Sequence, residues 1–86
     1  METRVAVISI LVSEGEGMND VSVSAINDLL HEYGGYIIGR MGIPYHVKKV
    51  SIISVALDAP QDIISALSGK LGRLSGVSVK TAYTSC

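Results

Sequence analysis

Twice along this chain an alternating β-branched run gives way to apolar residues spaced four apart, and twice a β-branched run then returns. Residues 3–12, "TRVAVISILV", read as a strand by composition. After the glycine-containing "EGEGMND", the run "DVSVSAINDLLHEY" sets Val21, Ala25, Leu29 and Tyr33 four apart, with Ile26 and Leu30 beside them. That is the spacing of a helix with one buried face. Asn19 or Asp20 is placed to cap it and Gly34-Gly35 to stop it. "YIIGRMGI" reads as a second strand holding two glycines, Pro44 to Lys49 as the connection, and "VSIISVALD" as the third strand. A second helix begins around Asp58-Ala59-Pro60, with proline in the first turn, where its missing N–H costs nothing. Ile63, Ile64, Leu67, Leu71 and Leu74 supply its buried stripe, Gly76 ends it, and "VSVKTAYT" is the last strand.

The order β-α-β-β-α-β splits into two similar halves, and right-handed crossovers in both β-α-β units leave one simple solution. It is an α+β, ferredoxin-like sandwich: a four-stranded antiparallel sheet, order 4-1-3-2, with both helices on one face. With 86 residues, residues 1–86 are expected to form a single domain, near the lower size limit for an adequate core.

Helices that cover one face of a sheet leave the other to water, so strands one and three should alternate apolar and polar. They do not. Strand one carries Ala6, Ile8, Ile10 and Val12 on one side and Val5, Val7, Ser9 and Leu11 on the other. Strand three carries Ile53, Val55 and Leu57 on one side and Val50, Ile52, Ser54 and Ala56 on the other. The bulkier set in each strand belongs under the helices. Val5, Val7, Ser9, Leu11, Val50, Ile52 and Ser54 then form an open face, with Arg40 and Lys80 expected at its rim. An apolar centre with a charged rim is the layout of an interface, and oligomerisation through this face is expected. The plainer reading is that twist and long edge side chains screen a modest patch.

Composition excludes several roles. Seven Lys and Arg against eight Asp and Glu give a net charge of −1, without the basic stripe that direct nucleic-acid binding needs. No apolar run approaches the roughly 18 residues of a membrane span. The N-terminal segment alternates as a strand does and lacks a small-residue cleavage site, so it reads as strand one rather than a secretion signal. A single cysteine, Cys86, permits no intrachain disulfide, and the cytoplasm is the expected compartment.

Candidate chemistry is sparse. His31, His46 and Cys86 stand at no ligand spacing, so no metal site and no cofactor is expected. No nucleophile stands beside a base, so catalysis is not expected. The loop "SEGEGMND" could offer backbone N–H groups to an anion, but Glu14, Glu16 and Asp20 oppose one. The hairpin "GRMGIPYHVKK" is the richest polar cluster: Arg40, Tyr45, His46, Lys48 and Lys49 could converge on an anionic small molecule. Turn chemistry and edge solubility account for the same residue types.

"GRMGIPY" followed by "VSIISVALDAPQDIISALSGKLGRLSGVSVKTAY" resembles the small iron-only hydrogenase system regulators, over nearly the whole length. "LGRLSGVSVKT", Leu71 to Thr81, is also similar to the C-terminal domain of nickel-responsive transcription regulators. That domain and the amino-acid-sensing ACT domains share the ferredoxin-like fold. The resemblance implies a regulatory role and assembly through sheets, as dimers or tetramers. The nickel regulators bind metal through histidines and a cysteine near strands two and three, where this chain offers only His46. They also carry an N-terminal ribbon-helix-helix domain, whereas this chain starts at strand one, so "regulator" is not expected to mean a direct DNA reader.

The sequence thus predicts an ACT-like regulatory or ligand-sensing module working as a homo-oligomer, with a small-molecule effector at a subunit boundary. Ser13, Gly15, Gly17, Arg40, Tyr45 and His46 are its candidate ligand residues. The alternative is a non-catalytic adaptor whose open face meets a different protein.

Overall fold

A run rich in β-branched residues extends the first strand, β1 (Arg4–Ser13), and every second residue from Ala6 to Val12 is buried. The computed structural model describes residues 2–13 and 19–84, with backbone alone at 19–21. After β1 come α1 (Asn19–Glu32), a single 3₁₀ turn at Gly34–Tyr36, β2 (Ile37–Tyr45), β3 (Val50–Ala59), α2 (Gln61–Gly72) and β4 (Val77–Tyr83). The four strands form one antiparallel sheet in the order β2-β3-β1-β4, the expected 4-1-3-2 arrangement read from its other edge.

The core forms where the helices meet one face of that sheet. Ala6, Ile8, Ile10 and Val12 of β1 and Ile53, Val55, Leu57 and Ala59 of β3 pack with Ile26, Leu30 and Tyr33 and with Ile64, Leu67 and Leu71. The α2 stripe is the expected one, with Ile63 half-buried at its margin and Leu74 half-buried just past the helix end. Along α1 and just past its end the buried line runs Ser22, Ile26, Leu30, Tyr33; Ala25 and Leu29 of the expected stripe are half-buried beside it, and the side chain of Val21 lies outside the described ones. A serine is tolerated in that line because its buried hydroxyl donates to the Ser75 carbonyl at 2.7 Å and so has a partner.

Several backbone details differ from expectation: α1 already includes Asn19 and Asp20, expected as its caps, and α2 stops at Gly72, short of Gly76. β2 continues through Pro44 to Tyr45, so the connection shrinks to His46–Lys49. Proline fits there because β2 lies at the sheet edge, where a lost N–H need not break the ladder. Pro60 precedes α2 rather than filling its first turn, and its carbonyl accepts from Ile63 and Ile64. Gly76 enters β4 with φ +73°, a left-handed conformation that glycine adopts at least cost, and its carbonyl accepts from the Ser13 N–H at 2.9 Å.

Candidate functional site

Strand register assigns the residues of the uncovered face row by row. Tyr45, Val50 and Ser13 lie across one end, and Ile43, Ile52, Leu11 and Ser78 form the next row. Met41, Ser54, Ser9 and Lys80 cross the middle, followed by Gly39, Ala56, Val7 and Ala82. Val5 and Asp58 lie opposite each other beyond them. Large side chains in these rows stand well out of the protein: Leu11 is 48% exposed, Met41 56% and Val7 39%. Two apolar bands flank a central row of two serines, with Lys80 at its β4 end. Lys80 has no ion-pair partner among the described residues.

Met41, Ile43 and Tyr45 extend this face further than alternation in the sequence suggests, and Arg40 leaves it. A β-bulge between Ile37 and Gly39 inserts one extra residue, Ile38, and reverses the parity of everything after it. Arg40 therefore lies opposite Val55, on the helix side, which corrects its expected place on the open rim. The signal was Gly39 itself, since an isolated glycine inside a strand often marks a bulge. Lys80, opposite Ser9, lies on the face where it was expected.

Of the candidate ligand residues, Ser13 and Tyr45 share the end row through Val50, and His46 follows Tyr45 in the turn. Arg40 does not join them. Gly15 and Gly17 lie outside the described residues. No three His, Cys, Asp or Glu side chains among the described residues gather as metal ligands would. No described helix is long and apolar enough to cross a membrane.

On the helix side, α1 and β2 leave an open groove of about 250 Å³ between them. Arg40 and Asn27 both line it, and the Arg40 Nη2 donates to Asn27 Oδ1 at 2.9 Å. Val23, Gly42, Pro44, Ser51 and Ile53 line the rest. Of β2, only Ile37 is even half-buried, so the hairpin stands away from the helices on this side as well.

Residues 4–81 match a family model described as "TM1266-like: Iron-only hydrogenase system regulator, putative". Among solved structures, the uncharacterized protein TM1266 from Thermotoga maritima matches with a TM-score of 0.86 at 38% identity. The match covers 95% of this chain and 98% of that one. No curated protein matches.

Proposed function

The chain belongs to the TM1266-like, iron-only hydrogenase system regulator family, and from that premise we propose that it is a non-catalytic regulatory module working as a homo-oligomer. The open sheet face is its contact between copies, and a small effector biases the assembly by favouring one of two states.

The observation that carries this reading is the uncovered apolar face. Four strands at about 4.8 Å spacing and about 33 Å length present roughly 600 Å² in projection, close to the ~800 Å² that each partner contributes to a standard interface. Val5, Val7, Leu11, Met41, Ile43, Tyr45 and Ile52 are each roughly half exposed. Covering each one recovers on the order of 1 kcal/mol of the 1.5–3 kcal/mol for full burial. Two copies together bring a gain of the same order as the association cost of about 4–15 kcal/mol. Serines in the central row and alanines beside Val7 leave room for a partner's larger side chains, which favours a second copy of the same surface.

Light scattering across a dilution series is the test. The wild type is expected to have at least twice the 9.1 kDa chain mass, and Val7→Lys, which sets a charge in the middle of the face, is expected to return it to monomer. A wild-type monomer at every concentration overturns the homo-oligomer. The face would then belong to a different protein, and the module would act as an adaptor.

A further inference from the structure

Gly42 has no internal reason to be glycine. It sits within β2 opposite Ile53, its φ is not positive, and a Cβ built on it meets nothing within 4 Å. Glycine inside a strand costs roughly 0.5–1 kcal/mol relative to alanine, and such a glycine often marks close approach by a ligand or another backbone. Gly42 lines the groove between α1 and β2, and the missing side chain leaves that space open.

Arg40 supplies the polar end of that groove. Its bond to Asn27 uses one of five guanidinium N–H donors and stretches the side chain across to α1. No acidic group pairs with it among the described residues. A planar, weakly hydrated fork with free donors matches a carboxylate, which it can grip with two parallel bonds. Beyond Arg40 and Asn27 the walls are mostly apolar, with Val23, Pro44 and Ile53, and Ser51 adds one hydroxyl. Among the described residues no carboxylate lines the groove to take an ammonium group, which favours a ligand without one, and no second cation lines it for a phosphate. The volume falls below the 300–1,000 Å³ of drug-sized sites.

We infer that the groove between α1 and β2 binds a short aliphatic monocarboxylate, with its carboxylate on Arg40 and its carbon chain over Gly42. This deepens the effector part of the reading above, but the groove lies on the helix side of the sheet, so its occupancy does not require the sheet-face contact.

The test is an amide ¹H–¹⁵N titration of the full chain with isovalerate. It is repeated with 3-methyl-1-butanol, which has the same skeleton without the charge, and with Arg40→Gln and Gly42→Val. Saturable shifts at Val23, Gly42 and Ile53 are expected with isovalerate at a millimolar or tighter dissociation constant. Arg40→Gln and the alcohol should each weaken binding about tenfold or more, as expected for loss of a charge-assisted pair. Gly42→Val should abolish the shifts while the spectrum stays dispersed, because the added side chain enters empty space. The assignment is overturned by any of three results: no saturable shift up to about 20 mM isovalerate, equal response in Arg40→Gln or to the alcohol, or shifts that follow protein concentration instead. The same titration of Val7→Lys separates the two proposals. Shifts retained there keep the groove standing whether or not the chain assembles.

Discussion

Lys70 ties the ends of the two helices together from the solvent side. Its Nζ donates to the Tyr33 hydroxyl at 2.8 Å and lies 3.6 Å from a Glu32 carboxylate oxygen. The hydrogen bond to Tyr33, more than the charge of Glu32, raises the Lys70 pKa above its ordinary 10.5. A cation whose pKa is raised by folding stabilises the fold at every pH below its unfolded value and loses that contribution as pH climbs through the folded one. Lys70→Met is therefore expected to melt at a lower temperature than wild type at about pH 8, with the gap closing as the pH climbs past the ordinary 10.5 and through the raised folded pKa. Thermal melts across that range check it, and the gap should be small because the pair is exposed. Nothing in the sequence pairs Lys70 with Tyr33, which lies 37 residues away; only the docking of the two helices brings them together. Arg40 shows the same limit from another side. Its residue type advertised an anion partner, but its face depended on one inserted residue upstream.

At the scale of elements, period and composition were informative wherever a strand or helix had a buried side. β1, β3 and α2 announced their inward residues because burial imposes a period of two or 3.6 on the chain. β2 announced little, because a strand left exposed along nearly its whole length has no inward side to pattern. The β2–β3 turn was less legible still. Lys49 closes it with φ +53°, its N–H donating to the His46 carbonyl at 3.2 Å. A non-glycine residue in the left-handed region costs roughly 1–2 kcal/mol. Lys49→Gly is thus expected to stabilise the protein by up to about 1 kcal/mol, after the extra backbone entropy of glycine in the unfolded chain is counted. Urea denaturation at fixed protein concentration measures it, and a loss of stability would show that the lysine side chain is needed at the tip.

For the whole molecule, the excess of apolar residues on β1 and β3 was visible in the sequence, while the extent of the open face was not. β2 contributes Met41, Ile43 and Tyr45 to it only because of the bulge at Ile38. If copies associate through this face, folding and assembly are linked by mass action. The melting temperature of the wild type is then expected to climb several degrees over a hundredfold rise in concentration, and that of Val7→Lys to stay flat. Scanning calorimetry at both ends of the range reads the difference. Strands that are apolar on both sides have a further consequence, for how the chain finds its fold. Where one side is polar, a sheet slipped by one residue turns its greasy side outward and is rejected. Here a slipped β1–β3 pairing would still bury Val7 and Leu11 in place of Ile8 and Ile10, so hydrophobicity proofreads the alignment poorly. That task passes to fastenings at the strand ends: the Ser13 amide on the Gly76 carbonyl, and Arg4 reaching both Gln61 and the Thr84 carbonyl. A misaligned sheet would be nearly as oily inside as the native one, but it would miss every one of those polar clasps.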